Sequence, residues 1–259
     1  MRRVSDQLSQ ACAIAEEAGV LMKRLFHERP AGRFELKGEQ DYLTEADAQV
    51  EELVAARLGR AFPGDSFLGE EGGGSIGQRT WVVDPIDGTA NFARGIPHFC
   101  VSIALVEGGE IALGAIVQPL TGETYAAERG RGATLNHRAI NVSPIADLRQ
   151  STIELGWSTR RPLSDYVAML GRVVATGAGT MRMGSGALGL AYVAAGRTDG
   201  YAELHINSWD SLAGILLVRE AGGWTNDFLA DDGLSEGNPI LACTPALQDA
   251  LQAATRLKF

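Results

Sequence analysis

What the chain lacks narrows it first. Its 259 residues include only three cysteines, Cys12, Cys100 and Cys243, far apart and without any C-x-x-C pair. This excludes a disulfide framework and a cysteine-type zinc or redox motif, and reads as buried thiols in a reducing compartment. No apolar run approaches the ~20 residues that a membrane-spanning helix needs. Met1-Arg2-Arg3 leads into a polar, amphipathic segment rather than the apolar stretch of a signal peptide. The expectation is a cytoplasmic protein that does not enter membranes. Basic residues are the minority, 23 against 32 acidic, giving a net charge of −9. That leaves no basic face for general nucleic-acid binding. None of the four histidines has the context of a phosphohistidine nucleophile. Internal repeats and low-complexity linkers are also missing.

What is there suits a globular enzyme. Hydrophobic residues make up 45% and charged residues 21%, ordinary for such a protein and long enough to bury a substantial core. Apolar positions from Ser5 to His27 predict a helix with one buried face. Phe34 to Asp41 reads as a polar loop. Thr44-Glu45-Ala46-Asp47 resembles a capping box opening a helix to about Phe62. Phe99–Val106 and Ile111–Val117 predict strands joined at Gly108-Gly109. Glu123–Ala127 and Ala139–Val142 continue an antiparallel meander. Arg129 and Arg131, beside turn glycines, read as solvated charges rather than phosphate ligands. From Ser151 onward, short strands alternate with helices, starting with Thr152–Leu155 and a helix over Ser164–Val174 with Ser164 as its expected cap. The chain therefore divides into a part over 1–146 that mixes helices with a meander and an α/β part over 147–259.

The chain is organised around Trp81-Val82-Val83-Asp84-Pro85-Ile86-Asp87-Gly88-Thr89. The apolar β-branched run predicts a buried strand that stops pairing at Pro85, which has no N–H to give. Gly88 permits a tight turn, and Thr89 can cap the segment beyond it. Asp84, Asp87 and the Ile86 carbonyl then form a nest of hard oxygen ligands of the kind Mg²⁺ prefers. Alone, such a pair of acids is more often a turn bonding its own backbone. Two further stretches reverse that. Phe67-Leu68-Gly69-Glu70-Glu71-Gly72 is another apolar strand ending in acids, and Ser208-Trp209-Asp210 sets an acid ahead of an apolar segment. Acids at the ends of separate elements are costly to bring together unless a cation neutralises them.

Taken together, Glu70-Glu71, Asp84-Pro85-Ile86-Asp87-Gly88-Thr89 and Trp209-Asp210 resemble the inositol monophosphatase family of metal-dependent phosphatases. The likeness runs from about the first helix to the last. It implies an α+β/α/β fold built as a five-layered αβαβα sandwich, shared with fructose-1,6-bisphosphatases. It also implies a homodimer, inhibition by lithium, and two or three Mg²⁺ ions held by Glu70, Glu71, Asp84, the Ile86 carbonyl, Asp87 and Asp210. By the same likeness Glu70, Asp47, Thr89 and Asp87 carry the catalysis, with Asp47 and Thr89 orienting a water. The Gly88 and Thr89 amides receive phosphate oxygens. Gly184, Ser185, Glu203 and Asp210 hold the alcohol, and Lys37 sits on a loop over the site.

The substrate so implied is a small phosphorylated polyol or amino alcohol. Glu203 favours inositol monophosphate, with histidinol phosphate and sugar phosphates as rivals within the same chemistry. His205 and Asn207 read either as specificity groups or, by a slight margin, as polar residues at a domain edge. A different class of function also attaches to the likeness, since some bacterial members act as partners of the transcription and ribosome-assembly machinery with dispensable enzymatic activity.

Overall fold

The computed structural model describes residues 5–29, 35–38, 41–43 and 45–259, with side chains described for 5–29 and 45–259. Helix α1 (Asp6–Glu28) starts where the Ser5 hydroxyl accepts the Leu8 N–H at 3.1 Å, satisfying one of the helix's free donors. The segment expected to be a polar loop instead pairs as a hairpin, β1 (Glu35–Gly38) with β2 (Asp41–Leu43). Lys37 lies on β1, but its side chain is outside the described residues, as is the whole of Thr44. Helix α2 (Glu45–Ala61) comes after it.

Next come β3 (Ser66–Gly69), β4 (Gly73–Gly74), β5 (Arg79–Asp87), the short helix α3 (Thr89–Arg94), β6 (Cys100–Glu107), β7 (Glu110–Gln118), β8 (Glu123–Glu128), β9 (Gly132–Leu135) and β10 (Arg138–Ala139). These strands form one sheet in the order β10-β9-β8-β7-β6-β5-β3-β4. All its pairs are antiparallel except β3 with β5. Gly108 and Gly109, at φ +60° and +80°, make the two-residue turn joining β6 to β7. The fourth strand of the meander is β9, earlier than the Ala139–Val142 segment expected. Arg129 and Arg131 are exposed, as expected, and make surface ion pairs with Glu110 and Glu128.

The rest of the chain gives β11 (Thr152–Leu155), α4 (Leu163–Ala175), β12 (Gly179–Met181), α5 (Gly186–Ala194), β13 (Gly200–Ile206), α6 (Ser208–Glu220), β14 (Trp224–Thr225), α7 (Gly233–Glu236), β15 (Asn238–Cys243) and α8 (Gln248–Thr255). Its sheet runs β12-β11-β13-β15-β14, parallel among the first three strands and antiparallel at β15 and β14. Pro162 precedes the first turn of α4, so Ser164 lies inside that turn and does not cap it.

Three buried clusters define the layers. Leu8, Met22, Val50 and Val54 of α1 and α2 pack on Trp81, Val83 and Ile103 of the first sheet. Val82, between Trp81 and Val83, points to the opposite face and joins Leu188, Leu190, Leu212, Ile215 and Ile240, as the two-residue period of a strand requires. Helices α5 and α6 are apolar on nearly all sides because each is covered by both sheets. Their close approach needs small residues: a Cβ on Gly214 would lie 2.4 Å from Leu190 Cβ. On the far side Met169, Val173 and Leu251 of α4 and α8 cover Ile153 and Leu241 of the second sheet. The stack is helices, sheet, helices, sheet, helices: the five-layered αβαβα sandwich.

Candidate active site

The site forms where β3 and β5 end and α6 begins. β5 does not stop at Pro85 as expected. It runs to Asp87, but its register on β6 slips: Asp84 faces Ser102 and Asp87 faces Cys100, so three residue steps on β5 span two on β6. This bulge is where a strand can hold a proline. It turns Asp84 and Asp87 to different neighbours. Asp84 is buried, and its Oδ1 accepts the Ile86 N–H at 2.9 Å. Glu70 comes directly after β3, its N–H bonded to the Val83 carbonyl at 3.2 Å. Asp210 stands in the first turn of α6, where its Oδ2 accepts the Asn207 N–H at 3.3 Å and the Asn207 amide at 3.2 Å. One carboxylate oxygen from each of Glu70, Asp84 and Asp210 lies within 4.8 Å of the other two.

Such crowding is expensive without a cation. Burial first, then the charges of Glu70, Asp210 and Asp87, push Asp84 well above the usual carboxylate range. Asp210 is pushed up as well, chiefly by burial and despite its bonds to Asp84 and Asn207. A divalent ion reverses this pressure, because its charge favours the ionised form of every acid around it. The donor set is all oxygen, with no nitrogen or thiolate in the group, and fits a hard cation such as Mg²⁺.

Asp87, expected among the metal ligands, makes its hydrogen bonds elsewhere. It lies outside that three-acid group, and both its oxygens engage the start of α5. Oδ2 accepts the Ser185 hydroxyl and the Ala187 N–H (2.7 Å), and Oδ1 accepts the Gly186 N–H at 3.2 Å. Burial lifts it to about 7 even with these donors. Ser185 in turn accepts the Leu188 N–H as N-cap of α5. The buried Cys100 thiol lies beneath, 3.7 Å from Asp87 Oδ2. Glu71, expected beside Glu70 as a ligand, does not line the cavity.

Gly88, at φ +98°, makes the turn into α3. A Cβ there would come within 3.0 Å of the His98 carbonyl, so only glycine fits without displacement. Gly88, rather than Thr89, occupies the N-cap position of α3. The Thr89 hydroxyl shares its single proton between the Ile86 carbonyl at 2.9 Å and Asp47 Oδ1 at 3.2 Å. Asp47 is fully buried in the first turn of α2.

These groups open into a cavity of about 660 Å³ whose other wall comes from the second sheet. Glu203 of β13 is buried there, its Oε2 accepting the Tyr201 hydroxyl at 2.6 Å, and burial raises it to about 8. Gly184, Ser185 and Asp210 line the same space. Several lining residues were missed from sequence. Glu154 of β11 is buried, accepts the Met183 N–H at 2.9 Å through Oε1 and leaves Oε2 without a partner; burial lifts it to about 7. Trp157, Arg160 and Arg182 complete the wall. Asn91 of α3 ties the two walls together, its amide donating to the His98 carbonyl at 2.8 Å and the Met183 carbonyl at 2.9 Å. The one available signal was an acid inside the apolar strand Thr152–Leu155. Asn207, read as an edge residue, proves to brace Asp210. His205 bonds the Glu236 carbonyl at 3.0 Å and also lines the cavity.

Comparison with known proteins agrees with this geometry. The sequence model of the inositol monophosphatase family matches residues 4–256. The chain is 40% identical to the inositol-1-monophosphatase of Mesorhizobium japonicum over 247 residues, 93% of each protein. It is 38% identical to the Nus factor SuhB of Pseudomonas aeruginosa, over 96% of this chain and 97% of that one. The crystal structure of the extragenic suppressor protein suhB from Bartonella henselae superposes with a TM-score of 0.91 at 38% identity, covering 98% of this chain and all of that one. With three acids converging at the ends of separate elements and a family match along nearly its whole length, the chain belongs to the inositol monophosphatase family and is a phosphatase.

Proposed function

We propose that the protein hydrolyses a small polyol phosphate, foremost myo-inositol monophosphate, in a Mg²⁺-dependent reaction without a covalent intermediate. The observation that carries this is the convergence of Glu70, Asp84 and Asp210 in one cavity with the Gly88-Thr89 turn and buried Glu203. Glu70, Asp84, the Ile86 carbonyl, Asp87 and Asp210 would hold two or three Mg²⁺ ions, with Glu71 at most in an outer position. When bound, such ions lower the pKa of a water and offset negative charge on a transferring phosphoryl group. Thr89 and Asp47 orient the attacking water, the Thr89 oxygen accepting a hydrogen bond from it while the Thr89 hydroxyl donates to Asp47 or to the Ile86 carbonyl. The Gly88 and Thr89 amides, at a turn opening a helix, face phosphate oxygens. Glu203, with Gly184 and Ser185, receives the ring hydroxyls of the alcohol.

The test is phosphate release from inositol 1-phosphate, histidinol phosphate, fructose 1,6-bisphosphate and a hexose phosphate, with Mg²⁺ and with EDTA. Inositol phosphate is expected to show the highest kcat/KM, lost in EDTA and inhibited by Li⁺. No Mg²⁺-dependent release from any of them would end this reading.

Two companion readings go with it. We place a second copy of the chain against the apolar stripe Leu163, Val167 and Val174 on α4, which is 49–60% exposed and therefore a candidate seam. Light scattering at a dimer mass supports it. A second role beside the transcription machinery is prompted by relatives named Nus factor SuhB. Capture of partner proteins with and without Mg²⁺ separates that role from catalysis. Among the described residues no helix is long and apolar enough to cross a membrane. A cytoplasmic location belongs to the proposal, and cell fractionation checks it.

A further inference from the structure

Glu70 sits at an awkward place for a residue that must hold position. It is succeeded by Glu71 and then by Gly72-Gly73-Gly74, two of which have φ of +64° and +143°. Glycine runs are the loosest backbone a chain can have. Gly73 is called for by its positive φ, and Gly74 by crowding as well, since a Cβ there would lie 2.0 Å from the Phe67 carbonyl oxygen. Something outside the hairpin has to fix it.

That anchor is Glu51. It lies on α2 and is buried, and both its oxygens are used. Oε2 accepts the Glu71 N–H at 2.9 Å and Oε1 accepts the Gly72 N–H at 2.6 Å. With the Glu70 N–H bonded to Val83, three consecutive amides are fastened, one to β5 and two to this carboxylate. Space has been cleared for it: a Cβ on Gly69 would lie 2.3 Å from Glu51 Oε2, and one on Gly72 would lie 2.7 Å from Oε1. Asp47 stands four residues earlier on α2, on the same helix face, and reaches Thr89. One turn of α2 thus sets both the water-orienting hydroxyl and the hairpin bearing Glu70.

We propose that Glu51 is a positioning residue for metal binding, acting only through the Glu71 and Gly72 amides to hold Glu70 toward Asp84 and Asp210. This rests on the reading of Glu70 as a Mg²⁺ ligand. A glutamine at 51 offers one acceptor oxygen and turns an NH₂ toward the other amide, so one of the two bonds is lost. An aspartate keeps the charge but is one methylene shorter and does not span both amides.

The experiment compares wild type with Glu51→Gln, Glu51→Asp and, as a charge control, Glu52→Gln on the exposed side of α2. Amide hydrogen exchange is read without metal, and Mg²⁺ affinity by calorimetry alongside kcat at saturating Mg²⁺. In both Glu51 variants the Glu71 and Gly72 amides should exchange at least tenfold faster. Mg²⁺ affinity should fall about fivefold or more while saturated kcat stays within twofold, and Glu52→Gln should change neither. Unaltered exchange, or unaltered Mg²⁺ affinity in a variant whose hairpin exchange has risen, overturns the proposal. A wild type that binds no Mg²⁺ would instead overturn the ligand role of Glu70, and the metal-free exchange result tells the two failures apart.

Discussion

The two ends of the cavity are both acidic, yet they are built on opposite principles. At one end Glu70, Asp84 and Asp210 crowd within 4.8 Å of one another, and their mutual repulsion adds to burial. At the other end Glu154 and Glu203 are raised to about 7 and about 8 mainly by burial, with hydrogen bonds from Met183 and Tyr201 and the charge of Arg182 opposing it. A cation relieves the first arrangement and does nothing direct for the second. The first is an arrangement that a metal would complete; the second is a wall of buried carboxyl groups held above their ordinary range without one another's charge as the main cause.

The sharpest way to break this contrast is within the turn itself. Asp84→Asn removes a charge from the crowded group and should lower kcat by roughly 10³-fold or more, while the metal-free protein melts no lower than wild type. Asp87→Asn should also abolish turnover but lower the melting temperature, because an amide group replaces an oxygen that receives donors from the start of α5. Equal melting behaviour of the two would erase the distinction drawn between these aspartates.

At the other end, Glu203→Gln is expected to raise KM for inositol phosphate about tenfold, the scale of one lost hydrogen bond to a charged or strongly polar partner. KM for p-nitrophenyl phosphate, which has no ring hydroxyls, should stay within twofold. Equal effects on both substrates remove Glu203 from recognition of the alcohol.

The smallest expected effect is on stability against pH. Both wall carboxyls are raised above the ordinary glutamate value of 4.5. Below that value folded and unfolded chains both hold the protons, and nothing is lost. Between it and about 7 to 8 the unfolded chain ionises while the folded one does not, so stability falls as pH rises through that window. The metal-free protein should melt lower at pH 8 than at pH 5, and the raised Asp84, Asp87 and Asp210 add to the loss in the same direction. Glu203→Gln should flatten part of that slope. Mg²⁺ should raise the melting point more at pH 8 than at pH 5, by acting on the crowded end alone. An identical slope in wild type and Glu203→Gln would mean that burial of Glu203 carries no proton linkage.

The difference between the two ends also decided what could be read in advance. The metal end is written in compact motifs: a strand, a proline, two acids and a glycine within Trp81 to Thr89. The family likeness carried the fold and the layers with it. The wall has no such motif. Glu154, Trp157, Arg160 and Arg182 come from separate segments around β11 and β12, and only the pairing of β11 with β12 and β13 gathers them. Side-chain partners were equally hidden. Nothing local in Asp87 shows that its oxygens go to α5, 98 to 100 residues away. The hairpin at Glu35–Leu43 was missed because its sequence is polar, and pairing there is set by register rather than by apolar alternation.

The measurement that reaches furthest is calorimetric titration of Mg²⁺ into the metal-free protein at pH 7.5, in two buffers of different ionisation heat. Wild type should bind Mg²⁺ with a buffer-dependent heat that reports protons leaving the crowded acids, and Asp84→Asn and Asp210→Asn should lose it. A wild-type titration with no binding heat in either buffer, or one unchanged in both variants, would contradict a magnesium site built from Glu70, Asp84 and Asp210.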